Sequence, residues 1–161
     1  MMVIRVANAQ RVAPVNIRQI TRLARCAIRA LRIRTAGQLA ITCIDARRMR
    51  VLNRRFKRHD RSTDVLSFRY DGERVIGEIL IVPSEARRFA RRARIPYTQE
   101  LSRYVVHGLL HWLGDEDATR AQQARMRARE DQLLAQCCHP SPVTRRPRAT
   151  SHGPRVTGHG R

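Results

Sequence analysis

The chain has 161 residues, 42% of them hydrophobic and only 4% aromatic, which predicts one domain with a mainly aliphatic core. Its formal net charge of +20 predicts a polyanionic partner, with nucleic acid ahead of an anionic membrane surface. No apolar run reaches the roughly 18 residues of a spanning helix, and the N-terminus carries no signal-peptide pattern, so we expect a cytoplasmic protein that does not bind membranes.

The cysteines Cys26, Cys43, Cys137 and Cys138 form no C-x-x-C pair, which argues against a zinc knuckle and favours a reducing compartment. Cys26 and Cys43 lie within apolar patterns. We therefore interpret both as small buried hydrophobic residues.

Four segments have the composition of strands, at residues 3–7, 38–44, 64–68 and 77–82. Asp71-Gly72 between the last two is a hairpin signal. Five segments repeat apolar residues at helical spacing, at 14–31, 46–56, 85–94, 98–113 and 118–135. Asp45 and Thr98 are the predicted N-caps of the second and fourth helices. The arginines of the first helix form a basic outer face, for which a solvated surface is favoured over an RNA-binding one.

This order of elements predicts an α+β fold, with one small mixed sheet of about four strands covered by about five helices. We assign residues 1–136 to the folded domain. Residues 137–161 are rich in proline, glycine and arginine and lack periodicity, so they are predicted to form a basic, disordered tail.

The pattern most informative about chemistry runs from His107 to Asp117. His107 and His111 are four residues apart and share one face of a helix, a spacing that lets both imidazoles bind one cation. Gly114 can end the helix in a left-handed conformation and turn the chain so that Asp117 supplies a third ligand. Three protein ligands and one open position are typical of a catalytic zinc site.

The same residues resemble the H-x-x-x-H-x-x-G-x-x-D motif of zincin-type proteases. Those proteases carry a glutamate general base directly after the first histidine, where this chain has Gly108. Peptide hydrolysis is therefore disfavoured. Asp115 and Glu116 remain alternatives for the third ligand or for a base, and the acidic cluster also suits the cap of the next helix.

The stretch from His107 to Gly114 also resembles the H-G-x-L-H-L-x-G-Y-D-H signature of the YbeY family, bacterial endoribonucleases of rRNA maturation. Residues 52–68 are similar to that family's L-N-x-x-Y-R-x-x-D-x-P-T-D-V-L-S-F block, and residues 77–81 to its G-D-I-x-I strand. The resemblance covers about residues 3–136.

The resemblance implies a zinc-dependent, single-strand-specific endoribonuclease acting in 16S rRNA 3′-end maturation and ribosome quality control. One Zn²⁺ would be held by His107, His111 and Asp117, and Lys57 would act with the two histidines in catalysis. The implied partners are rRNA in the small ribosomal subunit, small-subunit proteins and assembly GTPases. The alternatives are a non-catalytic RNA-binding assembly factor with a structural metal and, less favoured, a zincin-type metallopeptidase.

Two positions depart from the family pattern. Asp117 stands where the family has its third histidine, and an anionic ligand is expected to lower the Lewis acidity of the metal. Lys57 stands where the family has arginine, which keeps the charge and loses the bidentate fork. Arg55 and Arg58 are candidates to supply the missing guanidinium. Asp64 and Ser67 are candidates for substrate contact or for local structural roles, and the local roles are favoured.

Overall fold

The computed structural model describes residues 2–57, 63–71 and 74–138. Its four strands are β1 (Met2–Asn8), β2 (Gly37–Cys43), β3 (Val65–Arg69) and β4 (Val75–Ile81). The sheet order is β1-β2-β4-β3, with β1, β2 and β4 mutually parallel and β3 antiparallel to β4 at the edge. The predicted mixed four-stranded sheet is confirmed. The predicted hairpin pairing is present, and Gly72 itself lies outside the described residues.

In the described part of the chain five helices accompany the sheet, as predicted: α1 (Ile17–Ala30), α2 (Ala46–Lys57), α3 (Pro83–Ala93), α4 (Tyr97–Trp112) and α5 (Arg120–Cys138). None of the described helices has the length and apolar character needed to cross a membrane. The helix α5 ends two residues beyond the predicted domain boundary at 136, and the rest of the predicted tail, residues 139–161, lies outside the described residues.

Alternation along the strands divides the core into two parts. Leu39, Ile41 and Ile79 face α1 and α4, in the larger cluster of buried side chains. Leu66 and Leu80 face the opposite side, where Met49 of α2 packs against them. Each fully buried aliphatic side chain stabilises the fold by roughly 1.5–3 kcal/mol. The helix α4 is therefore a main contributor to the core, through its buried aliphatic residues Leu101, Val105, Val106, Leu109 and Leu110.

The helix starts are set by local hydrogen bonds that the sequence indicated only in part. Asp45 caps α2 as predicted, since its Oδ1 accepts the N–H of Arg48 at 2.8 Å. The helix α1 begins after Asn16, whose Oδ1 accepts the N–H of Gln19 at 3.1 Å, and not at Pro14. The prediction of Thr98 as the cap of α4 is wrong. Extended backbone at Pro96 already turns the chain, so the helix begins one residue before Thr98, without a side-chain cap.

The cysteine prediction is right for one residue and wrong for another. Cys43 is fully buried, and burial raises the pKa of its thiol to about 11. Cys26 is only half-buried and forms a disulfide with Cys137 of α5, with Cα atoms 5.7 Å apart. Because disulfides are rare in reducing compartments, this pairing also runs against the compartment that the cysteine pattern favours. Helical periodicity places Cys26 beside the apolar stripe of α1, but it carries no information about a partner 111 residues away.

Candidate metal centre

Gly108 lets α4 lie close against the sheet. A Cβ at this position would lie 2.5 Å from Ile79 Cγ2 and 3.0 Å from Val65 Cγ1, closer than packing allows. The Oγ of Ser67 donates a hydrogen bond to the carbonyl oxygen of Gly108 at 2.8 Å. The sheet therefore fills the space that a protease glutamate at position 108 would need. The same contacts fix the position of the neighbouring His107 relative to β3.

The turn after α4 brings the third candidate ligand to the two histidines. Leu113 closes the helix, and Gly114 adopts φ +102°, a conformation that favours glycine. The N–H of Gly114 then donates to His111 O at 2.9 Å, and the N–H of Asp115 donates to Leu110 O at 3.0 Å. This reversal of the chain places Asp117 beside the histidines.

The three predicted ligands lie together. His107 Nε2 and His111 Nε2 are 3.0 Å apart, and Asp117 Oδ2 lies 3.8 Å from the first and 3.6 Å from the second. Tetrahedral zinc with ligand distances of about 2.0–2.1 Å separates its ligand atoms by roughly 3.3 Å. Among the described residues, these form the group able to hold a metal ion, with ligand atoms within 4.8 Å of one another.

The hydrogen bond that Nδ1 of each histidine makes determines whether Nε2 of the same ring is free to bind a metal ion. His111 Nδ1 lies 2.8 Å from the carbonyl oxygen of Asp115, which only accepts, so Nδ1 carries the proton. His107 Nδ1 lies 2.7 Å from Glu130 Oε1. In its neutral form, each ring directs an Nε2 lone pair towards Asp117. Three electron-rich atoms in such proximity repel one another unless a cation lies among them, and a divalent metal fits this donor set.

Glu130 of α5 is the buried hydrogen-bond partner of His107 on α4. It is 4% exposed and also accepts a hydrogen bond from Arg103 Nη1 at 2.9 Å. Burial alone would raise the pKa of Glu130, but hydrogen bonds from His107 and Arg103 outweigh it and lower that pKa. Burial alone would lower the pKa of His107, whereas its hydrogen bond to Glu130 raises it. Arg103 Nη2 also pairs with Asp131 Oδ1 at 2.8 Å.

The other two acids of the turn have different partners. Asp115 forms an ion pair with Arg129, and Glu116 Oε2 accepts a hydrogen bond from Gln122 Nε2 at 3.1 Å. Neither belongs to the ligand group. The acids do not cap α5 either, because Thr119 and Gln122 exchange hydrogen bonds of 2.8 and 3.2 Å at its start, in the manner of a capping box.

Two of the remaining predicted residues, Asp64 and Ser67, lie on or beside β3. Asp64 Oδ1 accepts the N–H of Val65 at 3.1 Å, so it secures the entry into β3, and its side chain lines the cavity beside the metal cluster. Ser67 contacts α4, 41 residues away, and its role is therefore not local. Lys57 is the last residue of α2, and its side chain lies outside what the structure describes, as does all of Arg58.

A cavity of about 400 Å³ adjoins the cluster and contains residues that the sequence did not single out. His107, Asp117, Glu130 and Asp64 line it together with Glu100. Glu100 is 4% exposed, and no described group lies within hydrogen-bond distance of its Oε2. Burial, only partly offset by Arg103 and Arg127, raises the pKa of Glu100. Glu100 and Glu130 carry no local signal, because their position at the site depends on helix packing.

The fold and the site define a small α+β protein with a two-histidine, one-carboxylate cluster at the end of a buried helix. A sequence model of the family described as "Endoribonuclease YbeY" matches residues 5–138. The chain therefore belongs to the YbeY family.

Individual relatives agree with this assignment. The "Endoribonuclease YbeY" of Thermobifida fusca is 32% identical over 145 residues, which cover 83% of this chain and 93% of the relative. That of Flavobacterium psychrophilum is 32% identical over 102 residues, covering 63% and 73%. The solution structure of a Thermotoga maritima protein aligns with a TM-score of 0.56 at 22% identity, covering 89% of this chain and all of that one, and so shows the shared fold.

Proposed function

We propose that this protein is a metal-dependent, single-strand-specific endoribonuclease that acts in 16S rRNA 3′-end maturation and ribosome quality control. Membership of a family named for endoribonuclease activity supports an RNA-cleaving hydrolase. The observation that carries the metal dependence is the convergence of His107 Nε2, His111 Nε2 and Asp117 Oδ2.

His107, His111 and Asp117 would hold the ion, and Zn²⁺ is the metal that this donor set favours. When bound, the ion would supply Lewis-acid stabilisation of the negative charge that develops on a phosphoryl oxygen. Glu130 would keep the His107 ring oriented through Nδ1, and the Asp115 carbonyl would do the same for His111. Lys57 would neutralise charge on the scissile phosphate.

The attacking group is either water or the ribose 2′-hydroxyl. The products distinguish them, because a 2′,3′-cyclic phosphate end excludes water as the primary nucleophile. The net charge of +20 supports rRNA as partner. We extend the proposal to a cytoplasmic location and to small-subunit proteins and assembly GTPases as partners, on the strength of the family resemblance.

The test measures metal content by mass spectrometry and cleavage of a single-stranded oligoribonucleotide for the purified wild type, Asp117→His, Asp117→Ala and His111→Ala. We expect one metal per chain in the wild type and Asp117→His, and loss of metal and cleavage in the two alanine variants with the helical circular dichroism retained. Glu116→Ala, an acid in the same turn, is the control and retains both.

Full metal occupancy in Asp117→Ala would reject the ligand set. Cleavage by metal-depleted His111→Ala would reject metal dependence. A wild type that binds metal and RNA without cleaving the RNA would instead support the non-catalytic assembly factor. The anionic Asp117 ligand favours this alternative, because it lowers the Lewis acidity of the metal relative to a third histidine. The metallopeptidase is disfavoured by the packing of Gly108 against Ile79 and Val65.

A further inference from the structure

Aromatic side chains are scarce in this chain, yet one group of them is exposed at the β3 edge. The sequence has three Phe, three Tyr and one Trp. Tyr104 and Trp112 are buried, whereas Phe56 of α2 is 56% exposed and Tyr70, after β3, is 42% exposed. Phe89 of α3 is 38% exposed and lines the cavity beside His107. A ring that is mostly in water contributes little to the core, so Phe56 is accessible to a partner.

Phe56 is held in a defined orientation although it is exposed. Its ring meets Phe68 edge-on, with centroids 5.1 Å apart and an interplanar angle of 66°. Phe68 is anchored against the smaller core cluster below α2. The guanidinium carbon of Arg55 lies 5.7 Å from the Phe56 centroid. A rigid, exposed ring beside a cation is the arrangement on which unpaired nucleobases stack in single-stranded nucleic acid complexes.

The position of this ring relative to the metal cluster follows from the strand between them. Ser67 contacts Gly108, directly after His107, on the α4 side of the sheet, and Asp64 at the start of β3 lines the cavity with His107 and Asp117. Phe68 points to the other side of the sheet, where it packs in the α2 cluster, so the edge strand β3 lies between Phe56 and the metal-binding residues. From Asp64 to Phe68 the chain advances about 13 Å at roughly 3.3 Å per residue. Because β3 is an edge strand, an RNA strand with a phosphate at the cluster could cross this edge to the α2 side and bring a base, a few nucleotides away, to Phe56.

We propose that Phe56, supported by Phe68 and Arg55, is a stacking platform for an unpaired nucleobase of the RNA substrate. This inference rests on the proposed function for the identity of the ligand. A second copy of the chain is a less suitable occupant, because two surfaces with a net charge of +20 per chain repel each other and the exposed ring area is small.

The test separates base stacking from phosphate binding. The affinity of the full-length, metal-containing protein is measured by fluorescence anisotropy with a single-stranded 2′-O-methyl oligoribonucleotide, which is checked on a gel for intactness. A matched oligonucleotide with the same phosphates and abasic sugars is the second probe. Phe56→Ala removes the ring, and Phe56→Tyr restores it. Val51→Ala is the control, because Val51 is a 61% exposed apolar residue on the same helix.

We expect Phe56→Ala to bind the base-containing probe about tenfold more weakly than the wild type, with Phe56→Tyr and Val51→Ala near the wild-type value. The abasic probe is expected to bind the wild type and Phe56→Ala equally. Single abasic sites scanned along the probe are expected to weaken wild-type binding at one or two positions only.

Equal affinity of Phe56→Ala and wild type for the base-containing probe would overturn the platform. An equal loss on the abasic probe would overturn it as well, since the ring would then act through the fold or the charge. Concentration-dependent self-association that Phe56→Ala abolishes would assign the ring to a second copy. Because binding is measured without turnover, an inactive wild type with ring-dependent binding would refute the proposed nuclease and leave the platform intact. An active Phe56→Ala variant that binds the base-containing probe as tightly as the wild type would refute the platform and leave the proposed nuclease intact.

Discussion

The carboxylate of Glu130 accepts hydrogen bonds from both His107 and Arg103 while it is almost fully buried. This contact selects the His107 tautomer with a free Nε2, and it restrains the rotation of the ring. Partners of this kind are generally worth about 10- to 100-fold in metal affinity. The metal affinity of the site is thus expected to depend on a residue that touches no metal.

We predict that Glu130→Gln binds Zn²⁺ about 10-fold more weakly than the wild type, because the amide offers a neutral acceptor in place of a carboxylate. Competition with a chromophoric chelator measures the change. Glu116→Gln, which alters an exposed acid of the nearby turn, is expected to leave the affinity unchanged. Unchanged affinity in Glu130→Gln would show that the Nδ1 contact does not control the site.

Glu100 leads to a prediction about pH. Its pKa is raised in the folded protein, mainly by burial, with Asp64 and Glu130 adding to the rise and Arg103 and Arg127 opposing it. The folded state therefore binds the Glu100 proton more tightly than the unfolded state does. The stability that this proton provides is present below the ordinary value of 4.5 and is lost as the pH rises through the folded pKa.

We predict that Glu100→Gln gains stability relative to the wild type as the pH rises above 4.5, and that this difference levels off above the folded pKa. Urea unfolding of both proteins across this range measures the difference. Gln99→Ala, which changes the exposed, non-ionisable neighbour of Glu100, is the comparison and should keep the pH dependence of the wild type. A Glu100→Gln difference that stays constant with pH would contradict the raised pKa.

At the scale of elements, α4 illustrates which features local sequence predicts. The spacing of His107, His111 and Asp117 places all three near one another through one helix and one turn, so the sequence predicted the ligand group within 11 residues. The close approach of α4 to the sheet depends in addition on Gly77. A Cβ there would overlap the indole of Trp112, whose Nε1 donates to Ile76 O at 3.2 Å. Neither glycine contact has a local sequence signal.

The disulfide between α1 and α5 is the second feature of this scale. It joins Cys26 to Cys137 across 111 residues. In the chain-entropy model, a disulfide that closes a loop of about 100 residues raises the free energy of unfolding by about 4.7 kcal/mol, and measured values are commonly about 2–4 kcal/mol. It holds the C-terminal end of α5, the helix that carries Glu130, against α1. The pairing therefore supports the position of the metal cluster indirectly.

We predict that reduction lowers the free energy of unfolding of the wild type by about 2–4 kcal/mol. Cys137→Ser should have the stability of the reduced wild type both with and without reductant. Urea unfolding measures both. Cys138→Ser is the matched control, because the neighbouring Cys138 is a free, exposed thiol, and it should behave like the wild type. Four alkylatable thiols in the unreduced, denatured wild type would exclude the disulfide.

At the scale of the whole molecule, the excess of basic residues is distributed over several helices. The outer face of α1 carries Arg18, Arg22, Arg25 and Arg29, and α1 packs next to β1. The strand β1 lies at one edge of the sheet and β3 at the other. The basic face of α1 therefore lies on the β1 side of the sheet, although α1 also packs against α4 and α5. Its interpretation as a solvated face stays a prediction.

We predict that RNA affinity falls steeply with salt, with a log–log slope of about −0.7 for each phosphate contact on a single strand. Arg55→Gln is expected to reduce the magnitude of that slope by about 0.7. The double variant Arg18→Gln/Arg25→Gln should leave it close to the wild-type value, although it removes twice the charge. A larger effect of the α1 variant would place the RNA on the opposite side of the molecule.

The sequence by itself determined the α+β class, the number of strands and helices in the described residues, and the proximity of the candidate metal ligands His107, His111 and Asp117. These follow from periodicities and from contacts within one helix and one turn, which are short-range properties of the chain. Only the tertiary structure decided the Nδ1 partner Glu130, the Cys26–Cys137 disulfide, the buried Glu100 and the Phe56–Phe68 pair. Each of these depends on how separate helices and strands pack together, and that packing is set by the whole core and not by any local pattern.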